Sequence, residues 1–399
     1  MSLAEARATL RGRRVLVTGG GGFVGGRLVE RLVEECGAEV RVLVRNLAGA
    51  MRLARYPLDF RRGDVLDREA VRAAANECDA VFHCAYGTTG SQRQRARVNR
   101  DGTRCVLETA RAAGCRRLVH LSTLMVYGRT ADGDLDESAS RRRFGNAYSD
   151  SKLDAERLVV DAARRGLQTV VLQPTAVYGP YGGVWTERVL TSMKAGKQIL
   201  VDGGSGLANF VYVDDLVSAM LLAATVDRVA GETFLISSEE PVTWREWFGR
   251  FERMLGGERT VTMTAEAARA HWRAWRRARP RLMGEMIAAL RGERALRERL
   301  FETPELRFAR EAASALLPER WQQRIKSKIG MGAAAHVPVP PPVKDLPVLP
   351  LQPSEIDFYL PRTRVRIDRA QRLLGYRPSF DLDAGMALTE AWARWANLT

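Results

Sequence analysis

Two residues that can exchange protons, Tyr148 and Lys152, stand four positions apart in the sequence. On a helix this spacing places both side chains on the same face, one turn apart. A nearby ammonium group stabilises a phenolate, so the pair predicts a tyrosine that acts as acid or base well below the usual phenol pKa of about 10. Lys152 is the only lysine before Lys194 in a chain rich in arginine, which indicates a specific need for an ammonium group. A surface helix pair is the alternative.

A hydroxyl pair, Ser122 and Thr123, stands upstream of Tyr148 at the end of an apolar run. The run predicts a β-strand, which places both hydroxyls at the carboxyl edge of a parallel sheet. Ligands bind at this edge in open α/β sheets. We therefore expect the hydroxyl pair to lie beside Tyr148.

A glycine cluster, Gly19 to Gly22, follows the apolar run Val15–Thr18 and precedes a helical pattern that starts near Gly25. Glycines allow a tight turn and a close approach of the backbone to a pyrophosphate, whose charge is stabilised by the N-terminus of the following helix. A strand before the cluster and a helix after it are typical of a dinucleotide-binding loop. An ordinary strand–helix turn is the alternative.

The cofactor is predicted from the residues that follow the second and third strands. Arg45 follows the strand Glu39–Val44, where a basic residue accommodates a ribose 2′-phosphate and an acidic one binds the 2′-hydroxyl. The sequence thus predicts NAD(P) with NADP(H) slightly favoured over NAD(H), unless Arg45 is one more surface arginine. Asp64 follows the next strand and either contacts the adenine or caps a solvated turn.

The first 180 or so residues alternate short β-branched runs with helical patterns, as βαβ units do. We expect a doubly wound parallel Rossmann sheet of the α/β class. The runs Phe210–Val213 and Thr233–Ile236 are expected to extend the sheet, and Trp244–Leu255 is expected to be a helix. The other predicted strands are Arg14–Thr18, Glu39–Val44, Ala80–Cys84, Arg117–Ser122 and Thr169–Gln173, and the other predicted helices are Gly25–Cys36, Asp67–Asn76, Asn99–Ala113 and Tyr148–Arg165.

Composition excludes several classes of protein. The chain has 399 residues and a formal net charge of +15, yet only six of its 62 basic residues are lysines, so the charge reflects a general use of arginine and no nucleic-acid partner is expected. The five cysteines have no C-x-x-C spacing, so no metal site is predicted. No stretch approaches the roughly 18 apolar residues that span a bilayer, and a cytoplasmic location is expected.

Seven motifs follow one another in order: Thr18–Gly25, Val81–Ala85, Asn99 with Gly102 and Thr103, Ser122–Thr123 with Val126–Gly128, Tyr148 with Lys152, Pro174 with Tyr178–Pro180, and Phe210–Asp215. Together they resemble the extended short-chain dehydrogenases of the NAD-dependent epimerase/dehydratase family. The resemblance covers residues 10 to 255 and resumes from Val365 to Trp395.

The resemblance implies roles for individual residues. Thr123 is the hydroxyl that binds the substrate oxygen, Tyr148 the acid/base, and Lys152 the ligand of the nicotinamide ribose. Asn99 is expected to satisfy backbone groups beside the site. The implied cofactor-binding residues are Gly19, Gly22, Phe23, Val24, Arg45, Asp64, Val65, Ala85, Tyr148, Lys152 and Pro174, and the implied substrate-binding residues are Thr123, Leu124, Met125 and Tyr178. A small-molecule substrate and a homodimer are also implied.

The same resemblance divides the chain into three parts. Residues 10–185 are expected to bind the dinucleotide, and residues 186–260 with 345–399 to bind the substrate, some strands rejoining the sheet. Residues 261–344, which the resemblance does not cover, are expected to form an arginine-rich helical insertion and a proline-rich linker.

Departures from the family pattern bear on the reaction. Sugar-nucleotide 4,6-dehydratases carry Asp-Glu after the active-site Thr, whereas Leu124 and Met125 stand here and cannot shuttle protons. Epimerases usually place an Arg two residues before Phe210 to hold a diphosphate, and this chain has Ala208. We interpret the chain first as a nucleotide-sugar epimerase or oxidoreductase. The alternative is a carbonyl reductase or alcohol dehydrogenase on a lipophilic or small substrate, similar to 3β-hydroxysteroid dehydrogenases and dihydroflavonol reductases. A non-catalytic dinucleotide sensor is the third hypothesis.

The insertion, Ala265 to Ile329, lies outside the resemblance. Its apolar stripe from Leu282 to Leu290, with Trp272 and Trp275 one turn apart, predicts an amphipathic helix. We expect the stripe to be buried as a lid or decoration, with the proline-rich segment Val337–Pro353 returning the chain to the body. Contact with an anionic membrane surface is the less favoured alternative.

Overall fold

The structure is a computed structural model that describes residues 1–292, residue 343 and residues 346–399, with the side chains of residues 279–292 outside the description. Its strands are β1 (Arg14–Thr18), β2 (Glu39–Val44), β3 (Asp59–Arg62), β4 (Ala80–His83), β5 (Arg117–Leu121), β6 (Gly133–Leu135), β7 (Thr169–Pro174), β8 (Ala176–Tyr178), β9 (Gln198–Val201), β10 (Leu207–Ala208), β11 (Phe210–Tyr212), β12 (Thr233–Ile236), β13 (Val242–Thr243), β14 (Thr260–Met263) and β15 (Thr363–Val365).

The helices connect these strands on both sides of the sheet. They are α1 (Leu3–Leu10), α2 (Phe23–Glu34), α3 (Arg68–Ala75), α4 (Gln92–Arg97), α5 (Thr103–Ala112), α6 (Ala147–Arg164), α7 (Arg188–Ala195), α8 (Val213–Thr225), α9 (Trp244–Leu255), α10 (Ala265–Gly292), α11 (Pro353–Tyr359) and α12 (Leu382–Trp395).

Seven strands form one parallel sheet in the order β12-β7-β5-β4-β1-β2-β3. Strands covered on both faces read as continuous apolar runs, and β1 and β4 show this pattern. Val15 and Val17 pack with α1, α2 and α8, whereas Leu16 packs with α3, α5 and α6 on the opposite face. The predicted doubly wound Rossmann fold is therefore confirmed.

The sheet is extended by only one of the two runs expected to extend it. Thr233–Ile236 forms β12 and pairs with β7 at the edge. Phe210–Tyr212 instead pairs with Ala176–Tyr178 in a separate two-stranded sheet, so its predicted place in the main sheet is wrong. The reason is geometric, because β12 already occupies the edge beside β7 and leaves β11 to pair with the segment that follows β7.

Helix α9 forms as predicted, beginning with a capping box between Thr243 and Glu246. Its apolar face joins a third core beyond the main sheet, in which the rings of Phe210 and Trp247 stack with centroids 3.5 Å apart. This core supports the part of the chain that lies beyond the main sheet.

The arginine-rich insertion starts as helix α10, which packs on the body through the fully buried Ala268 and the 2.8 Å ion pair of Arg269 with Asp357. The rings of Trp272 and Trp275 stack at 5.2 Å, as their spacing predicts. Helix α10 continues through the predicted stripe from Leu282 to Leu290, but the side chains of this stretch lie outside the description, as do residues 337–342, 344 and 345 of the proline-rich segment. The lid therefore stays a prediction.

Within residues 1–292 and 346–399, no helix combines the length and apolar character needed to cross a bilayer. The same part of the chain holds no group of three or more His, Cys, Asp or Glu side chains arranged to hold a metal ion.

Candidate active site

Helix α6 carries Tyr148 and Lys152 at the carboxyl edge of the sheet. Asn146 caps its N-terminus by accepting hydrogen bonds from the backbone N–H groups of Tyr148 and Ser149, both at 3.1 Å. Tyr148 is 42% exposed on the first turn, and Lys152, one turn further on, is 5% exposed. The helix therefore presents the phenol to the cleft and holds the ammonium group beneath it.

Lys152 is a buried cation that is hydrogen-bonded to the backbone of β5. Its Nζ donates to the backbone carbonyl oxygen of Leu121, the last residue of β5, at 2.5 Å. Burial lowers the pKa of Lys152 to about 8, and the neighbouring Cys84 and Glu156 act in the opposite direction. Lys152 is therefore still mainly an ammonium group at neutral pH.

The pKa of Tyr148 differs from the sequence prediction. Loss of water around the hydroxyl raises the pKa to about 12, the neighbouring Tyr86 adds to the rise, and a hydrogen bond with Thr123 acts against it. The predicted lowering by Lys152 is wrong for this state, because the Lys152 ammonium is directed to the Leu121 carbonyl oxygen. Tyr148 is thus a protonated phenol at neutral pH.

Thr123 lies at the end of β5, facing Tyr148. It is 8% exposed, and its Oγ1 accepts a hydrogen bond from the backbone N–H of Met125 at 3.3 Å. Leu124 and Met125 follow and are half-buried. The structure therefore brings together the three residues for which the sequence predicts catalytic roles, with two apolar side chains next to them.

The glycine loop has the shape that a pyrophosphate requires. Gly19 has a φ of +73°, and a Cβ there would lie 2.7 Å from the backbone nitrogen of Ala85. A Cβ on Gly25 would lie 2.3 Å from the carbonyl oxygen of Gly19. Gly22 caps α2 without a side-chain hydrogen bond, which leaves the first N–H groups of α2, at Phe23 and Val24, directed at the loop. These residues fit a dinucleotide.

A cavity of about 290 Å³ adjoins this loop. Two of its lining residues, Arg52 and Tyr181, were not predicted from the sequence. The Arg52 guanidinium carbon lies 4.3 Å from the centroid of the Tyr181 ring. Arg52 also forms an ion pair with Glu30, with 3.0 Å between Nη2 of Arg52 and Oε1 of Glu30. No local pattern marks either residue, because they meet only after β2 and β7 have joined the sheet. The cavity is lined by Gly21, Gly22, Phe23, Ala48, Gly49, Met51, Arg52 and Tyr181.

The other residues with predicted cofactor contacts occupy different environments. Arg45 is exposed after β2, and Asp64 caps the turn after β3 by accepting a hydrogen bond from the N–H of Leu66 at 2.9 Å. Val65 is a buried core residue. Ala85 follows β4 beside Gly19, and Pro174 ends β7. All five lie at or just beyond the carboxyl ends of strands.

Tyr178 is a packing residue, which corrects its predicted contact with substrate. It is 3% exposed, and its ring meets those of Phe210, Tyr212 and Trp247 at centroid distances of 5.2 to 6.0 Å. The physical reason is that β8 pairs with β11 and so turns Tyr178 into the aromatic core.

Asn99 joins two backbone segments beside the site. Its Oδ1 accepts from the N–H of Gly87 at 2.8 Å, and its Nδ2 donates to Ser151 Oγ at 2.9 Å. This is the role expected from the sequence.

The mouth of the cleft is aromatic. Tyr86, Phe144 and Tyr148 are all exposed, and the rings of Tyr86 and Tyr148 lie 6.3 Å apart edge to face. Further along, an open pocket of about 390 Å³ is lined by Gly183, Glu187, Arg188, Thr191 and Ser192.

Comparison with known proteins places the chain among dinucleotide-dependent enzymes. The family model described as the NAD dependent epimerase/dehydratase family matches residues 15–237. A 2-alkyl-3-oxoalkanoate reductase of Stenotrophomonas maltophilia is 33% identical over 62% of this chain and 77% of its own. A 4-hydroxy-2-methyl-3-oxo-4-farnesyl-3,4-dihydroquinoline-1-oxide ketoreductase of Stigmatella aurantiaca is 32% identical over 59% of this chain and 71% of its own.

Among solved structures, an epimerase of Methanothermobacter thermautotrophicus matches with a TM-score of 0.70, covering 99% of this chain and 97% of its own at 19% identity. At that identity the likeness concerns the fold alone.

Proposed function

The chain belongs to the NAD-dependent epimerase/dehydratase family and is an oxidoreductase, and within that family we propose that it reduces a ketone on a lipophilic substrate, or oxidises the corresponding alcohol, with NAD(P)(H). This proposal takes the lipophilic alternative ahead of the nucleotide sugar that the sequence favoured first. The observation that carries it is the apolar character of the substrate side of the cleft.

The first part of that observation is the environment of Ala208. Where epimerases usually hold a diphosphate with Arg, Ala208 is 1% exposed and belongs to the aromatic core with Phe210 and Trp244. A buried alanine offers a diphosphate neither charge nor hydrogen bond. A substrate without a diphosphate fits this position better.

The second part is the surface beside Thr123. Leu124 and Met125 are half-buried, and Tyr86 and Phe144 add exposed aromatic surface at the mouth. Apolar pockets of this kind favour alkyl or ring surfaces. The names of the two relatives describe ketone substrates with an alkyl or a farnesyl group, which supports the same class of substrate here.

In the mechanism we propose, the glycine loop and Lys152 would hold the reduced dinucleotide, which would supply a hydride for the carbonyl carbon. Thr123 binds the carbonyl oxygen, and Tyr148 donates its hydroxyl proton to that oxygen as negative charge develops. With its pKa raised to about 12, Tyr148 carries this proton at neutral pH, which suits reduction. Lys152 binds the nicotinamide ribose as an ammonium group. In alcohol oxidation the same steps run in reverse.

The glycine loop and the N-terminus of α2 hold the pyrophosphate in this proposal, and Arg45 contacts a ribose 2′-phosphate. NADP(H) is therefore slightly favoured over NAD(H). Epimerisation of a nucleotide sugar is the second candidate, since it begins with the same proton and hydride steps.

Purified protein distinguishes the two candidates. We expect little bound dinucleotide after purification, and oxidation of added NADPH or NADH when 2-alkyl-3-oxo acids or farnesylated ketones are supplied. UDP-glucose is the matched control and should cause no reaction. Tightly held dinucleotide, together with interconversion of UDP-sugars and no net change in cofactor, would replace the reductase by an epimerase.

A further inference from the structure

Helix α6 carries a third ionisable residue, Glu156, which the proposed mechanism does not use. Tyr148, Lys152 and Glu156 follow at intervals of four and so lie along one side of the helix. Glu156 is 1% exposed. A buried carboxylate is costly unless it is fully hydrogen-bonded, so its partners indicate what it is for.

The carboxylate of Glu156 is the acceptor for three side chains. Oε2 accepts from Ser122 Oγ at 2.6 Å, and Gln173 Nε2 donates to the two oxygens at 3.0 and 2.9 Å. Arg141 Nη1 donates to Oε1 at 2.5 Å, and the Arg141 side chain is 30% exposed. Glu156 is thus held by the partly exposed cation of Arg141 and by two buried neutral donors, Ser122 and Gln173.

The two neutral donors stand next to residues of the proposed site. Ser122 directly precedes Thr123 at the end of β5, and Gln173 directly precedes Pro174 at the end of β7. Gln173 Oε1 also accepts from the Tyr127 hydroxyl at 2.7 Å. One carboxylate on α6 therefore ties the ends of two central strands to the helix that carries Tyr148 and Lys152.

We propose that Glu156 is a positioning residue for the reaction, which fixes Ser122 beside Thr123 and holds Lys152 in its ammonium form from one helical turn away. The inference rests on the proposed roles of Thr123 and Lys152. Glu156 contacts neither the substrate nor the cofactor in this arrangement.

Among the ionisable groups of the described residues that act on Lys152, Glu156 is the one that supplies a carboxylate. Burial lowers the pKa of His83, on β4, to about 3 and that of His120, on β5, well below its usual value, so both rings are neutral. Burial raises the pKa of the Cys84 thiol to about 12, so it is neutral too. Cys84 and Glu156 both raise the pKa of Lys152 against the effect of burial, and of these two Glu156 is the one that bears a carboxylate.

The small number of lysines makes a direct test practical. The chain has six lysines, so protein labelled with ¹³C at lysine Cε gives six NMR signals whose titration reports each ammonium group. Lys152→Met identifies the signal of Lys152 by its loss. Neither substrate nor cofactor is needed, so this test can fail or succeed independently of the reductase proposal.

Three variants should change the pH midpoint of the Lys152 titration in different ways. Glu156→Gln removes the negative charge and should lower it by about one pH unit. Arg141→Gln leaves the negative charge without its counter-ion and should raise it. Asp154→Asn is the matched control, because Asp154 lies on the same helix but pairs with Arg143 away from Lys152, and it should leave the midpoint unchanged.

Opposite shifts for Glu156→Gln and Arg141→Gln would support the proposal, since a purely structural defect has no reason to change sign between them. Glu156→Asp keeps the negative charge that Glu156→Gln removes, so its Lys152 titration midpoint should return to that of the parent. A Lys152 midpoint that stays within about 0.2 pH units in Arg141→Gln and in whichever Glu156 variant folds would overturn the inference.

Discussion

Lys152 lies one helical turn from Tyr148 and is almost fully buried, whereas Tyr148 is 42% exposed at the cleft. Loss of water acts on the two groups in opposite directions, since desolvation of the Tyr148 hydroxyl raises the pKa of the phenol to about 12 and burial lowers that of the Lys152 ammonium to about 8. Both residues therefore keep their protons at neutral pH. This is the protonation state in which a tyrosine can act as the acid in ketone reduction.

Replacement of the acid tests this assignment. Tyr148→Phe should keep the fold and the dinucleotide affinity but lose at least ~10²-fold in turnover, the usual scale for a positioned acid or base. Turnover is measured by absorbance of the reduced nicotinamide, affinity by fluorescence titration, and fold by circular dichroism. A variant that turns over within a few fold of the parent would remove Tyr148 from the mechanism.

Close packing at the glycine loop gives a second prediction. In Gly25→Ala the new Cβ would lie 2.3 Å from the Gly19 carbonyl oxygen, so the loop must shift away from the pyrophosphate position. We expect affinity for NADH and NADPH to fall at least about tenfold, the scale of one lost charge-assisted hydrogen bond.

The matched control is Gly249→Ala in helix α9, where a Cβ meets no atom within 4 Å. This variant should bind dinucleotide like the parent and be as stable or more stable, because alanine favours helix over glycine by roughly 1 kcal/mol. Equal affinity losses in the two variants would show that the effect is not specific to the loop.

The sequence predicts a feature well when residues close together in the chain determine it, and poorly when tertiary contacts do. Strand and helix periodicity determine two features that the structure has as predicted. They are the strand before the glycine loop, which includes Val15–Thr18, and the helix that carries Tyr148 and Lys152. The pKa of Tyr148 was predicted in the wrong direction, because the loss of water around its hydroxyl depends on tertiary packing, which also directs the Lys152 ammonium to the Leu121 carbonyl oxygen.

The other misses involve residues that meet through tertiary packing. Tyr178 is turned into the core by a strand pairing that no local pattern indicates, and Arg52 meets Tyr181 across two distant loops. Glu156 was missed because its partners come from β5, β7 and the segment before α6. The domain boundaries at 185 and 260 remain our proposal.

Cofactor choice is tested at the end of β2. Arg45→Asp should weaken NADPH binding by about tenfold or more and NADH binding much less, because only NADPH loses a charge-assisted contact to its 2′-phosphate. The control is Arg62→Asp, which changes another exposed arginine at the end of the neighbouring β3. Equal losses for both dinucleotides in Arg45→Asp would show that Arg45 does not contact the phosphate.

The last prediction concerns Asp215, which ties the start of α8 to the segment before α12. It is 1% exposed, and its carboxylate accepts hydrogen bonds from the backbone N–H groups of Ser379 at 2.7 Å and Phe380 at 3.2 Å. Asp215→Ala leaves two N–H groups without these acceptors and should lower the free energy of unfolding by about 1–3 kcal/mol, measured with urea. Glu108→Ala, which removes an exposed carboxylate paired with the exposed Arg68, should change it by less than about 0.5 kcal/mol.

The same residue predicts a pH dependence with a definite sign. Burial raises the pKa of Asp215 to about 6 from its usual 3.8, while the two N–H donors act against the rise. A carboxyl group whose pKa is higher in the folded state binds more protons there, so its contribution to stability is complete below about pH 4 and is lost as pH rises through about 6. Asp215→Asn cannot ionise. The unfolding free energy of the parent minus that of Asp215→Asn should therefore fall between pH 4 and 7, and a difference that rises over this range would contradict the assignment.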